Sequence, residues 1–129
     1  MLDLKIKNGQ CYIDGELKNV DVSIKDGKIF SIGKITEESK NIIDAKGLIV
    51  LPGCIDTQTH FREPGSTDTE DLHSGSRAAI VGGITAVFEM PNTNPPTSTK
   101  KEFQRKLDLA KNRMYCNYAF YFGATANNA

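Results

Sequence analysis

Residues that commonly build metal or disulfide sites are scarce in this sequence, which has three cysteines, two histidines and no tryptophan. Cys11, Cys54 and Cys116 are odd in number and widely spaced, and no C-x-x-C pair occurs. We therefore expect neither a disulfide framework nor a structural zinc site. This cysteine usage is typical of a reducing cytosol.

Net charge is also absent, because sixteen basic and sixteen acidic side chains cancel. No block of like charge occurs, so the sequence has no strongly basic region that would attract nucleic acid or an anionic membrane surface. The densest basic stretch consists of Lys100, Lys101, Arg105, Lys106 and Lys111. It lies in a predicted helix, and we interpret it as a solvated helix face.

Long apolar runs are missing as well. The longest, GLIVLPGCI at residues 47–55, is far shorter than the roughly 20 residues that a membrane-spanning helix needs. The start of the chain, MLDLKIKNG, alternates and is charged, so it does not resemble a signal peptide. We predict a cytoplasmic protein with no membrane segment and no nucleic-acid partner.

Residues 1–51 are predicted to form a small antiparallel β unit, part of a small β-sandwich. Leu2, Leu4 and Ile6 alternate with charged residues before KNGQ, and a second alternating run precedes KDGK. Asn-Gly and Asp-Gly pairs between such runs predict hairpins, because both turn positions must accept positive φ. No site is visible in this unit.

Residues 52–129 follow a different pattern, in which strands alternate with helices. A strand ending in IDTQTHF precedes a helix in TDTEDLHSGSRAAIVGG, and a strand in ITAVFEMPN precedes a second helix and a strand in CNYAFYFGATA. Thr67 with Glu70 predicts a capping box at the start of the first helix, and Thr99 with Glu102 is predicted to cap the second. The apolar stripe of the second helix comprises Phe103, Leu107, Ala110 and Met114.

The fold class that follows is α/β with parallel strands and right-handed crossovers. An open doubly wound sheet should carry a glycine-rich phosphate loop after its first strand, but this chain has HFREPGSTD there. We therefore predict the first three strands of a (β/α)₈ TIM-type barrel, preceded by the small β-sandwich unit. Such a barrel needs about 250 residues, so we expect the chain to be an N-terminal fragment.

The stretch DTQTHFREPG places polar residues at alternate positions: Asp56, Gln58, His60 and Arg62. On a strand these share one face, whereas Ile55, Thr57, Thr59 and Phe61 point toward the covering helices. Burying unpaired polar groups costs about 1–3 kcal/mol each, so the first set needs a metal, a substrate or one another as partners. An internal polar network that closes the barrel is the alternative interpretation.

Together with EMPNTNP, this stretch resembles dihydroorotase of the amidohydrolase superfamily, in its longer bacterial type. The similarity runs through nearly the whole chain, including DLHSGSRAAIVGGITAVFEMPN and AFYFGAT. H-x-H alone would indicate only a metal-dependent hydrolase, whereas H-x-R-E-P-G followed by M-P-N-T-x-P is more specific. The arginine and the asparagine together favour dihydroorotase over hydantoinases and allantoinases.

The resemblance implies roles for individual residues. His60 matches the second histidine of the family's metal pair, and Asp56 matches an aspartate that supports the metal site. Arg62 and Asn92 match residues that hold the substrate carboxylate, for which a guanidinium is well suited. Glu63-Pro64-Gly65 resembles loop scaffolding. The family's catalytic aspartate and its later ligands match no residue of this chain.

The implied reaction is the interconversion of N-carbamoyl-L-aspartate and dihydroorotate in pyrimidine biosynthesis, with one or two zinc ions. A fragment of this length would be inactive by itself. In-class alternatives are hydantoinase-like or allantoinase-like cyclic amidases. A non-catalytic homologue that assembles with aspartate transcarbamoylase is the out-of-class alternative, and a homo-oligomer is also compatible with the resemblance.

Gln58 stands where the family has its first metal histidine, and a neutral carboxamide is a poor zinc ligand. Three interpretations remain open: a single metal held by later ligands, two metals with one weakened site, or loss of catalysis. We interpret His73 as a surface residue without a role.

Overall fold

A computed structural model describes residues 1–128 as two compact units, one from Met1 to Pro52 and one from Gly53 onward. Between residues 1 and 128, no helix is long and apolar enough to cross a membrane.

The N-terminal unit is built from two small sheets. Its strands are β1 Leu2–Lys7, β2 Gln10–Ile13, β3 Glu16–Asn19, β4 Asp21–Lys25, β5 Lys28–Gly33, β6 Ser39–Asp44 and β7 Ile49–Val50. One sheet has the order β5-β4-β1-β6 and the other the order β3-β2-β7. The pairings β1–β4, β2–β3 and β4–β5 are antiparallel as predicted. The pairings β1–β6 and β2–β7 are parallel, which corrects the prediction of an antiparallel unit.

The two glycine turns that the sequence predicted in this unit behave differently. Asp26 and Gly27 have φ of 52° and 72° and join β4 to β5, which confirms the predicted hairpin. The Asn8-Gly9 pair is not a hairpin turn, because it carries the chain from one sheet to the other. A Cβ on Gly9 would lie 2.7 Å from Val50 Cγ2, so glycine is needed there for close approach.

The C-terminal unit has a mixed α/β fold. Its elements are β8 Cys54–Thr59, α1 Leu72–Val81, β9 Ile84–Glu89, α2 Lys100–Ala110 and β10 Asn117–Phe120. The three strands are parallel in the order β10-β9-β8, which confirms the predicted alternation. A hydrophobic core forms from Phe61, Leu72, Val87, Ala110 and Cys116. The carboxyl ends of all three strands lie at one edge of this sheet.

The start of α1 differs from the prediction. Its N-cap is Asp71, whose carboxylate accepts the Ser74 backbone N–H at 2.6 Å, while Ser74 Oγ accepts the Asp71 N–H at 3.1 Å. This hydrogen bonding lowers the pKa of Asp71. Thr67 and Glu70 both precede the Asp71 cap, so their predicted capping box is wrong. At α2, in contrast, Thr99 Oγ1 accepts the Glu102 N–H at 3.1 Å, as predicted.

Replacing Asp71 by Ala is expected to destabilise α1 by about 1 kcal/mol, because the Ser74 N–H loses the carboxylate that accepts it and Ser74 Oγ loses its own bond to that carboxylate. Hydrogen exchange of the α1 amides measures this loss. Thr67→Ala is the matched control and should leave α1 unchanged. Greater exchange in Thr67→Ala than in Asp71→Ala would contradict the observed cap.

Candidate functional site at the strand ends

The polar stretch after residue 55 leaves the strand earlier than its alternation predicts. β8 ends at Thr59, and Arg62 has a φ of 63°, in the left-handed region. Asp56, Gln58, His60 and Arg62 therefore do not share one strand face, which corrects the prediction. Arg62 lies in the loop that leads from β8 toward α1, where the chain has already turned away from the sheet.

The opposite face is only partly covered. Thr59 and Phe61 are buried, and Phe61 packs so closely on Gly75 of α1 that a Cβ there would lie 2.4 Å from the ring. Ile55, in contrast, is 60% exposed, and Thr57 is exposed as well. The helix contact predicted for this face is therefore confirmed at Phe61 but not at Ile55.

His60 and Asn92 meet just beyond the ends of two adjacent strands. The His60 ring nitrogen Nδ1 lies 2.9 Å from Asn92 Oδ1. The Met90 N–H donates to Thr59 O at 2.9 Å and so extends the pairing of β8 and β9 by one step. With Nδ1 donating to the amide oxygen, Nε2 keeps its lone pair for another partner.

The Asp56 carboxylate is hydrogen-bonded to the backbone of its own strand. Asp56 Oδ1 accepts the Gln58 backbone N–H at 2.9 Å, while the side chain of Gln58 is exposed. Across residues 1–128, no group of three or more histidine, cysteine, aspartate or glutamate side chains is arranged to hold a metal ion. His60 can supply one imidazole ligand, but the described residues do not complete a metal site.

A buried ion pair lies beside this site and was missed from the sequence. Lys106 of α2 and Glu89 at the end of β9 have 0% and 1% of their side chains exposed and form a salt bridge. Lys106 Nζ also donates to Met90 O at 3.0 Å. The prediction that Lys106 belongs to a solvated face is wrong.

Burial acts on both members of this pair. It raises the pKa of Glu89 and lowers the pKa of Lys106, although the salt bridge opposes each shift. A helical signal for Lys106 existed in the sequence. It follows Phe103 by three positions and precedes Ala110 by four, so it lies on the predicted apolar stripe.

Glu63 links the polar loop to both helices. Its carboxylate accepts Arg113 Nη1 at 2.8 Å and Nη2 at 3.0 Å, and Oε2 also accepts the Leu72 N–H at 2.9 Å. Arg113 follows α2, and Leu72 is the first residue of α1. Sequence reasoning assigned Glu63 to loop scaffolding but gave no partner for it.

The loops that follow β8 and β9 also contact each other. The Asn94 N–H donates to Pro64 O at 2.9 Å. Gly65 has a φ of 127°, and a Cβ on it would lie 3.0 Å from Asn94 Cβ. The loop that contains Arg62 and the loop that contains Asn92 are therefore hydrogen-bonded and packed against each other.

The amidohydrolase family profile matches residues 49–127, which include the whole of this site. The chain belongs to the amidohydrolase family. Dihydroorotase from Methanosarcina mazei is 42% identical over 129 residues, covering 98% of this chain and 28% of the relative. Allantoinase from Salmonella choleraesuis is 42% identical over 127 residues, with the same two coverages. The chain therefore spans little more than a quarter of the length of these relatives.

Solved structures of this family have the same fold over this length. L-Hydantoinase (dihydropyrimidinase) from Arthrobacter aurescens matches with a TM-score of 0.90 and 33% identity, covering 99% of this chain and 29% of that structure. D-Hydantoinase (dihydropyrimidinase) from Thermus sp. matches with a TM-score of 0.78 and 29% identity, covering 94% and 27%. The resemblance to amidohydrolases is thus confirmed, while dihydroorotase and allantoinase relatives are equally similar to this chain.

Proposed function

We propose that this chain forms part of a longer cyclic amidase with a (β/α)₈ barrel, which hydrolyses or closes a ring amide. The observation that carries the proposal is the contact between His60 and Asn92 at the carboxyl ends of adjacent parallel strands. Enzymes built on parallel barrels keep their sites at this edge. Relatives named dihydroorotase, allantoinase and hydantoinase support the same class of reaction.

Within this class, dihydroorotate and N-carbamoyl-L-aspartate are the substrates that the chain's own residues favour. Arg62 is exposed, and its guanidinium takes part in none of the ion pairs within residues 1–128. A guanidinium in this state is available to bind a carboxylate through two parallel hydrogen bonds. Asn92, in the neighbouring loop, offers an amide for the same group. A role in pyrimidine biosynthesis in the cytoplasm follows from this substrate and is part of the proposal.

A substrate panel tests the proposal. The longer polypeptide that contains this chain is assayed on dihydroorotate, on allantoin and on an unsubstituted hydantoin. Hydrolysis of dihydroorotate well above the other two supports the assignment. Preference for allantoin or hydantoin would keep the reaction class and overturn the substrate. No turnover of any ring would favour the non-catalytic alternative.

That alternative rests on Gln58. The position contributes an exposed carboxamide where an imidazole would bind zinc far better. A homologue without catalysis could still serve assembly with aspartate transcarbamoylase. Co-elution of the two purified proteins as one complex, combined with no turnover in the panel, would favour it.

Gln58→His is expected to raise the zinc content of the longer polypeptide, because a second imidazole two residues before His60 restores the H-x-H pair. Metal analysis of the purified protein by mass spectrometry measures the change, independently of activity. Gln104→His, on the exposed face of α2, is the matched control and should leave zinc content unaltered. Equal zinc content in Gln58→His and the unmodified protein would show that position 58 does not face the metal.

A further inference from the structure

We propose that Arg113 is a positioning residue that acts through Glu63 to present Arg62 to an anionic group on the substrate. This inference rests on the proposed function and deepens it, because it identifies what decides recognition of a charged ring over an uncharged one. Arg113 does not touch the substrate in this proposal. Instead, it fixes the loop that carries Arg62 through its contact with Glu63.

The backbone at Arg62 needs such support. Its φ of 63° is unfavourable for a residue with a Cβ, and it persists only where the surroundings enforce it. The side chains on either side are both buried, Phe61 with 6% and Glu63 with 7% exposed, while Arg62 itself is exposed. Two buried neighbours therefore direct the one exposed side chain outward.

The hold on Glu63 is directional. Two guanidinium nitrogens of Arg113 meet its two carboxylate oxygens at 2.8 and 3.0 Å, so the plane of the carboxylate is set as well as its position. The Leu72 N–H adds a third donor at the start of α1. Arg113 is itself fixed, because its Nη1 also donates to Leu109 O at 3.0 Å. Lysine could keep the charge but not this geometry.

The arrangement links α1, α2 and the substrate-facing loop through one carboxylate. Because Pro64 O also accepts the Asn94 N–H, the fixed loop is registered against the loop that holds Asn92. Loosening Glu63 should therefore spoil the alignment of Arg62 with Asn92 while leaving the imidazole of His60 in place. The cost should fall on the anionic part of the substrate alone.

The test uses Arg113→Lys in the longer polypeptide. Glu63→Gln is a second variant, because a lysine at position 113 keeps a charge that can still pair with the Glu63 carboxylate. Binding of dihydroorotate and of uncharged dihydrouracil is measured by calorimetry, and KM and kcat are measured where there is turnover. We expect affinity for dihydroorotate to fall about three- to tenfold, the effect of roughly one misaligned hydrogen bond, with kcat and dihydrouracil affinity unchanged. Arg105→Met, an exposed arginine on α2, is the matched control and should change neither ligand.

Hydrogen exchange of the Leu72 amide measures independently how firmly Arg113 holds the Glu63 carboxylate. This exchange should accelerate in both variants. Equal loss for charged and uncharged rings would overturn the inference and leave the proposed function standing. Unchanged dihydroorotate affinity with faster Leu72 exchange would overturn it too. Binding of dihydroorotate without turnover, weakened by Arg113→Lys, would support the inference while the proposed function fails. An unmodified protein that binds neither ring would overturn both.

Discussion

Replacing Arg62 by Met is expected to weaken binding of dihydroorotate about ten- to hundredfold in the longer polypeptide. Methionine keeps much of the aliphatic stem and removes the guanidinium, and losing one charge-assisted hydrogen bond costs about 1.5–3 kcal/mol. The effect should exceed that of Arg113→Lys, because the group proposed to bind the substrate carboxylate is itself deleted. Calorimetric titration with dihydroorotate measures it.

Zinc content should stay unchanged in Arg62→Met, since a guanidinium is not a metal ligand. Arg77→Met, on the exposed surface of α1, is the matched control and should bind dihydroorotate normally. Equal losses for dihydroorotate and dihydrouracil would assign Arg62 a structural role. Undiminished dihydroorotate affinity would remove the main reason to prefer this substrate over those of the allantoinase and hydantoinase relatives.

Lys106→Met should destabilise the fold by about 3–5 kcal/mol, the cost of breaking a buried ion pair from one side. The Glu89 carboxylate, with 1% of its side chain exposed, would lose its cation and gain no water. Met90 O would lose its donor in the same variant. Urea unfolding of the longer polypeptide, read as the transition that involves this unit, measures the loss.

The double variant Lys106→Met with Glu89→Leu should regain most of that stability, because no charge then remains buried. Lys101→Met, an exposed lysine on the same helix, is the matched control and should change stability by less than about 0.5 kcal/mol. A single variant as stable as the unmodified protein would show that Glu89 finds another partner. A double variant as unstable as the single one would assign the stabilisation to the Met90 contact.

Local signals predicted the elements of the C-terminal unit well. Strand and helix alternation and the Thr99 cap of α2 depend on residues a few positions apart, and the structure confirms both. The prediction of the α1 cap was wrong for a non-local reason. Thr67 had the predicted capping pattern, but the helix begins at Leu72 after the Asp71 cap, and Glu63, nine residues before Leu72, accepts the Leu72 N–H there.

The N-terminal unit shows the same limit. An Asp-Gly pair is enough to turn β4 into β5, because the two strands are neighbours along the chain. The Asn8-Gly9 pair has the same local chemistry but serves a change of sheet. Parallel pairing of β1 with β6 involves strands far apart along the chain, and no short-range pattern reports it.

The sequence by itself determined the family, through H-x-R-E-P-G and M-P-N-T-x-P, and it predicted that His60 and Asn92 come together beyond the ends of neighbouring parallel strands. These conclusions depend on spacing along the chain, which the sequence contains directly. Only the tertiary structure decided that Lys106 is buried against Glu89 and that Arg113 holds Glu63. The reason is physical: a charged side chain leaves water only when a partner from another element meets it, and that meeting depends on the packing of the whole unit.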